Sequence, residues 1–343
     1  MRNARRIWMA GILLAAIHGA VLLAGFIAPY GFSQQAREFP YAPPSRLHFV
    51  DARGHLHLVP FIYRLTPDET NPDAYAEDRS QAYPIRLFVR GAGYKFAGLV
   101  DFQVHLFGVD APAQIFILGT DGYGRDQFSR LLYGGRISLL AGLLAAGLAL
   151  GFGLLVGGIS GYYGGWIDDS LMRVSELFLA LPWIYLLFAV RAFLPLNLAP
   201  FQTFLLLIGV VGLVGWARPA RLIRGVVLSA REREFVVAAR GFGASDAYLL
   251  RRHILPQAWG VLLTQAAILI PQFILAEVTL SFLGLGIGEP GVSWGSMLSS
   301  LQEFHVLSSY WWMLAPGVAL VFVSLGYTAL ANTLQEKFGP SEV

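Results

Sequence analysis

Long apolar runs alternate with polar segments along the chain, and six of the runs are long enough to matter. A helix crossing the ~30 Å hydrocarbon core needs about 20 mostly apolar residues, with about 17 as the lower limit. The stretches 8–28, 137–160, Val174 to Leu194, 201–217, Trp259 to Leu285 and 311–331 meet that length. Glu176 and Arg191 sit near the ends of the third stretch, and Pro271 and Glu277 lie inside the fifth. The first stretch is longer than the apolar core of a usual signal peptide and lacks a clear small-residue cleavage site, so it reads as an uncleaved anchor.

Between the first two spans the pattern changes to short alternating runs. RLHFVDARGHLHLVPFIYRL predicts a β-hairpin reversing around Ala52-Arg53-Gly54, and YPIRLFVRGAGYKFAGLVDFQVHLFGV predicts two more strands reversing around Gly91–Gly93. TPDETNPDAYAEDRSQ, between them, reads as a polar loop. The segment 29–136 carries 11 basic and 11 acidic residues. It is too long and too polar for a simple connector.

A different pattern occupies EFVVAARGFGASDAYLLRRHILP, residues 234–256. Phe235, Ala238, Ala239 and Phe242 recur at steps of three and four, which predicts one apolar helix face. Gly243 can end that helix in the left-handed region at little cost. Ser245 can cap a second helix, with Asp246 favourable in its first turn. Ala247, Leu250 and Ile254 form the second apolar stripe, and Pro256 is expected to stop it before the fifth span. The pattern by itself is equally that of an amphipathic helix pair lying on phospholipid headgroups.

Composition confirms the membrane class. Hydrophobic residues make up 55% of the 343, mean hydropathy is +0.56, and charged residues are 14%. A soluble domain carries about 25% charged residues. There is no cysteine, which excludes disulfides and thiolate chemistry. Only Lys95 and Lys337 are lysines, and neither follows a glycine, so no P-loop for ATP phosphates exists. No catalytic or zinc signature appears, and the basic residues cluster between spans rather than along a nucleic-acid-binding face. Arg2, Arg5 and Arg6 precede the first span. The segment 218–257 holds eight arginines against Glu232, Glu234 and Asp246, a net of +5. Excess Arg and Lys stay on the cytoplasmic side. Six crossings then place both termini and 218–257 inside, and 31–118 outside.

Four stretches resemble the permease subunits of ABC importers. In 234–256 the spacing Ala238-Ala239, three residues, Gly243, nine residues, His253-Ile254-Leu255-Pro256 is similar to the EAA loop of that family. Val237 stands where the loop's glutamate would be, and His253 where an isoleucine would be. GTDGYGRDQFSRLLYGGRISL (119–139), GYYGGWIDDSLMR (161–173) and LAEVTLSFLGLGI with PGVSWGSML (275–298) resemble the branch that imports dipeptides, oligopeptides and nickel, in its second-permease form. Together they cover most of 119–337.

The resemblance implies an all-α polytopic fold of six transmembrane helices, the type I ABC importer permease fold. The chain adds a small β-rich extracytoplasmic insert between helices 1 and 2, longer than a typical member has. Implied boundaries are 1–30 for the tail and first helix, 31–118 for the insert, 119–337 for the permease core with coupling loop 218–257, and 338–343 for the tail. Implied partners are a homologous permease in a heterodimer, two ABC ATPases, an extracytoplasmic substrate-binding protein and the bilayer of the bacterial inner membrane, with no nucleic acid. This chain would bind no cofactor, and ATP and magnesium would sit on the ATPase.

By the same likeness, Phe235, Ala238, Ala239, Gly243, Ala244, Ser245, His253, Leu255 and Pro256 would form the ATPase-coupling loop. Arg233, Arg240, Arg251 and Arg252 would meet acidic residues at the groove rim or lipid phosphates. Glu277, an acid inside an apolar run, would line the translocation path or bridge helices while protonated. Asp121, Arg125 and Asp126 lie in a glycine-rich outer loop and are expected to be structural, capping a short helix 126–134 and pairing with Arg130 or Arg136; EF-hand spacing is absent. Two other classes stay open on residues alone. An ion-driven transporter would show inverted repeats and paired intramembrane carboxylates. A membrane-anchored enzyme would carry its chemistry in the insert. Within the importer class, nickel, opines and sugar-containing compounds remain alternatives to peptides.

Overall fold

The computed structural model describes residues 2–68, 74–96, 100–180, 182, 185–186, 188–189 and 199–338. Residues 181, 183–184, 187 and 190–194 of the expected third span, Arg191 among them, lie outside the described residues. Helix dominates. Among the described residues, three helical stretches are long and apolar enough to cross a membrane: Gln127–Tyr163, Asp246–Phe282 and Trp311–Phe338. A fourth span results if Pro200–Val214 and Ala217–Arg231, bent by 44°, are counted together. The chain divides into two compact units, one of 1–14, 139–280 and 321–343, the other of 15–138 and 281–320.

In chain order the helices are α1 (Arg2–Leu22), α2 (Ala24–Ile27), α3 (Gln127–Tyr163), α4 (Gly165–Ala180), α5 (Pro200–Val214), α6 (Ala217–Arg231), α7 (Glu234–Gly241), α8 (Asp246–Leu249), α9 (Trp259–Phe282), α10 (Trp294–Leu298), α11 (Phe304–Ser309) and α12 (Ala315–Phe338). Helix α3 is longer than the apolar run 137–160. The expected short helix 126–134 is its first two turns, because Gly134-Gly135 does not break it. A Cβ on Gly135 would lie 2.7 Å from Val21 and 3.0 Å from Trp294, so the pair is used for close packing.

In the first unit, glycine sets how closely α3 meets α6. Gly153, Gly157 and Gly161 are spaced by four, one face of a helix. A Cβ on Gly157 would sit 2.4 Å from the Ala220 carbonyl oxygen, and one on Gly161 2.8 Å from that of Arg224. Ala217, Ala220, Ile223 and Val227 form the buried face of α6. Gly142 approaches α9 instead, its Cβ position 2.3 Å from Ile274, while Gly147 and Gly151 have nothing within 4 Å. Pro271 lies inside α9.

In the second unit, β1 (His48–Val50), β2 (Leu56–Pro67) and β3 (Tyr75–Pro84) form an antiparallel sheet in that order, and β4 (Arg86–Phe96) pairs with β5 (Val100–Gly108). The first hairpin reverses through Asp51–His55, around the expected turn. Two expectations change. Residues 75–81, read as loop, belong to a strand, β3, whose partner is β2. Their polar composition hides the strand because the ladder and a single buried tyrosine, Tyr83, hold it. Gly91–Gly93 is not a turn but lies inside β4, at the register shift between Arg90 and Tyr94. Phe96 pairs with Val100 at the end of the ladder, and residues 97–99 lie outside the described residues. Gly91 makes room for His105 on the facing strand. A Cβ on Gly91 would meet its ring at 2.7 Å, and the ring nitrogens lie 2.6 Å from the Ala28 carbonyl oxygen and 2.9 Å from that of Ala92.

Candidate functional site: the loop between α6 and α9

The segment 218–257 is almost entirely helical. Helix α6 enters it, α7 and α8 form its two short arms, and a π turn (Leu250–Ile254) and a 3-10 turn (Leu255–Ala258) lead into α9. The turn between the arms follows from Gly243. Its φ is +84°, a region that costs L residues with a Cβ. The Ala244 N–H donates to the Ala239 carbonyl at 3.1 Å and the Gly243 N–H to that of Arg240 at 3.0 Å. This is the Schellman arrangement, in which the residue past the glycine reaches back five positions. Ala239 and Ala244 both pack on the same core cluster, the apolar contact that accompanies the motif. The spacing of Ala239 from Gly243 therefore has a local cause. Ser245 caps α8, its hydroxyl accepting from the Tyr248 N–H at 3.4 Å.

Pro256 does not end the helix. Its ring would crowd the carbonyl four residues back. The π turn widens the backbone there, with the Leu255 N–H reaching the Leu250 carbonyl five residues back. The wider turn also resets the face: Leu249 and Ile254, five apart, are both buried, Leu250 is half-buried, and Ala247 is exposed.

The structure gives the first arm an orientation that the period alone leaves open. Val236 is the buried residue, packed with Ile223, Val227, Leu249 and Ile254. The predicted stripe is present but looks away from the chain's own core. Phe235 and Ala238 are exposed, Ala239 is half-buried, and Phe242 at the turn is 94% exposed. The rings of Phe235 and Tyr248 approach His253 at 6.0 and 5.4 Å, so the two arms share one exposed aromatic surface. Leu255 is half-buried against the core cluster and Pro256 is exposed. Arg233, Arg251 and Arg252 are exposed, with no ion-pair partner among the described residues.

Buried polar contacts anchor this loop to the end of α3. Arg231 donates to the Gly161 and Tyr162 carbonyls, both at 3.2 Å, occupying oxygens that a helix C-terminus leaves open. Arg224 binds both carboxylate oxygens of Asp168, and Ser160 donates to the same carboxylate. The hydrogen bonds from Arg224 hold the Asp168 carboxyl below its ordinary value, against the opposing effect of burial. Arg240 reaches the Tyr162 hydroxyl at 3.3 Å. Sequence reasoning missed Ser160, Tyr162, Asp168, Arg224 and Arg231 as site residues. GYYGGWIDDSLMR held two of them, Tyr162 and Asp168, but no local pattern pairs an acid with an arginine 56 residues away.

Gly243→Val is expected to separate the two arms. A β-branched residue at φ +84° costs at least about 1–2 kcal/mol, so the turn relaxes and the Schellman bonds are lost. Hydrogen exchange at the Gly243 and Ala244 amides should accelerate in the variant while α9 stays protected; parental protection at both amides would contradict the prediction.

Glu277 is 2% exposed, and it is not without a partner in the chain. In the second unit, Asp121 accepts from the Tyr123 and Arg125 amides and pairs with the Arg125 guanidinium at 2.7 Å, with Arg130 at 3.7 Å. Arg136 does not join them; it donates to the Val21 and Leu22 carbonyls at 2.9 and 2.8 Å, closing the end of α1. Gly124 is required here, with φ +71° and a Cβ position 1.9 Å from the Ala36 carbonyl oxygen. Asp126 caps α3, accepting from the Ser129 amide and hydroxyl at 2.8 and 2.6 Å.

Burial pushes the Asp126 carboxyl up to about 7, with nearby Asp121 adding to the rise. The shift is upward from an unfolded value near 3.8, so the folded state binds the extra proton. Its contribution to stability is complete below the unfolded value and is lost as pH rises through about 7. Thermal unfolding of the detergent-solubilised chain should therefore weaken between pH 5 and pH 8 by about several degrees more than in Asp126→Asn. Parallel profiles for the two proteins would count against it.

Among known proteins the chain matches the family described as "Binding-protein-dependent transport system inner membrane component" over residues 153–341. It is 37% identical over 232 residues to the dipeptide transport system permease protein DppC of Alkalihalophilus pseudofirmus, covering 68% of this chain and 74% of that one. It is 34% identical over 230 residues to the oligopeptide transport system permease protein OppC of Bacillus subtilis, covering 67% and 73%. A solved structure of the MetNI methionine ABC transporter, inward facing, aligns with a TM-score of 0.44 at 18% identity, over 61% of this chain and 95% of that one. The chain belongs to the family of binding-protein-dependent inner membrane transport components: it is an integral membrane permease subunit of an ABC importer, and ATP hydrolysis lies with a separate ATPase.

Proposed function

We propose that this chain forms half of the translocation path of a peptide importer, with the surface around Phe242 as the seat of the ATPase. One observation carries the second point. A chain whose loop buries Val236, Leu249 and Ile254 inward exposes Phe235, Phe242 and Tyr248 outward, flanked by Arg233, Arg251 and Arg252. Contiguous apolar surface rimmed by charge is the pattern of a protein-binding site. Lipid headgroups are a weaker fit, because the motif that projects Phe242 is a rigid turn rather than a continuous amphipathic face.

The remaining assembly follows from the family. A homologous permease completes the path, two ATPases bind ATP and magnesium, and a binding protein delivers substrate from outside. Six spans in the bacterial inner membrane, with both termini and 218–257 cytoplasmic, satisfy the arginine excess of that segment. The strands of 48–108 then face the outside, as an insert that receives the binding protein or shapes the outer gate. ATP binding favours one conformation of the assembly over the other, and the loop carries that preference to the spans. Glu277 stands as a residue of the path or of the helix contacts beside it.

Peptide substrates are inferred from relatives that transport dipeptides and oligopeptides. The test is uptake in proteoliposomes holding the complete assembly and its binding protein. Peptide uptake that needs internal ATP supports the proposal; uptake by this chain alone, driven by an ion gradient, refutes it.

A further inference from the structure

We propose that Tyr162 is the positioning residue through which movement of the docked loop reaches the membrane span α3. The inference rests on the ATPase-docking function proposed for the loop and deepens it.

Tyr162 is the next-to-last residue of α3. It is 7% exposed, and its ring belongs to the cluster of Val227, Val236, Leu249 and Ile254. Its hydroxyl is reached from both arms of the loop. From α7, the Arg240 Nη2 donates to it at 3.3 Å, and the same guanidinium lies over the ring, 5.7 Å from its centroid. From α8, the Asp246 carboxylate accepts its proton. Arg240 and Asp246 sit on either side of the Gly243 turn, so one oxygen ties together the two arms that the turn separates.

The contacts made by Tyr162 differ from those that fold the loop. The Schellman bonds, the Ser245 cap and the Val236–Leu249 contact are all independent of the hydroxyl. The exposed face of Phe235, Phe242 and Tyr248 does not include Tyr162. Removing the hydroxyl therefore leaves a folded loop with an intact docking face and cuts the charge-assisted link of both arms to the span, so that α7 and α8 keep only apolar contact with α3 while the Arg231 bonds from α6 remain. A helix end held by such bonds follows the loop as a rigid body; one held by apolar contact alone can slide, because apolar contact is non-directional.

The test uses the full assembly with Tyr162→Phe, which keeps the ring and its burial. While the loop is tied to α3, each ATPase cycle must also move the span. With the tie cut, the cycle runs without that load. ATP hydrolysis by the Tyr162→Phe assembly is expected to rise about five-fold, the lower end of coupling between linked sites, with the ATPase retained at parental stoichiometry. Asp246→Asn retains an acceptor for the hydroxyl and should stay within about two-fold of the parent, whereas Asp246→Ala should behave like Tyr162→Phe. Hydrolysis unchanged or lowered in Tyr162→Phe overturns the proposal. So does loss of the ATPase from that variant, which would make the hydroxyl part of the docking surface, and so do equal effects of the two Asp246 variants. Failure of the ATPase to copurify with the parent chain would instead overturn the docking function on which the proposal rests.

Discussion

Phe242→Asp is expected to release the ATPase from a chain that still folds and inserts. Phe242 is 94% exposed and the Gly243 turn holds it at the apex of the loop. Nothing in the core depends on it, so its replacement should change stability by no more than about 0.5 kcal/mol. Binding is another matter. Central aromatic anchors of interfaces cost about 2 kcal/mol or more when truncated, and an unpaired carboxylate in the same pocket adds a desolvation cost. Together these weaken association by about a hundred-fold or more. Copurification of the ATPase beside a thermal unfolding curve separates the two effects. Full retention of the ATPase by a normally folded variant would remove Phe242, and with it the outward stripe, from the docking surface. Val237, at the position of the missing glutamate, is also exposed and offers an apolar contact there in place of a charge.

Gly157→Leu is expected to have the largest effect on folding. A Cβ at that position would lie 2.4 Å from the Ala220 carbonyl oxygen and 3.1 Å from the Arg224 nitrogen. Both are backbone atoms, so no side-chain rotation relieves the contact. Overpacking alone costs about 1–3 kcal/mol, and here α6 must move as a whole. Displacing α6 also parts Arg224 from Asp168, leaving a nearly buried carboxylate without its guanidinium. Together these approach the whole stability of a marginal unit. The yield of monodisperse protein should collapse. Gly147→Leu and Gly151→Leu are matched controls on the same helix, with nothing within 4 Å of the new Cβ. Equal behaviour of all three variants would show that the α3–α6 approach is not as close as the structure has it.

These expectations show how unevenly the sequence was legible. The glycines of the second span look alike as letters. Their neighbours on α6 and α9 divide them into those that admit another helix and those that face open space. The loop motif was legible in part, since a glycine that must take positive φ and a serine cap are local demands. The direction of its apolar stripe was not. Phe235, Ala238 and Phe242 satisfy the period of a core-facing helix, yet Val236 is the residue that faces in. Periodicity finds a face without saying what the face meets, and here the apolar face of the first arm is exposed. Residues 75–81 failed for the opposite reason: a polar strand held by backbone bonds to β2 leaves almost no apolar signal.

The sequence by itself determined the membrane class, the positions of most apolar helices, the importer-permease family, and the turn chemistry at Gly243 and Ser245. Each of these depends on local composition, a short period, or a backbone angle that one residue type tolerates. Only the tertiary structure decided that Tyr162 joins Arg240 to Asp246, that Arg224 holds Asp168, and that the π turn before Pro256 brings Leu249 and Ile254 to one face. Those contacts join segments up to 84 residues apart. Their geometry is set by how closely the glycine face of α3 lets α6 approach, a distance that no local stretch of sequence encodes.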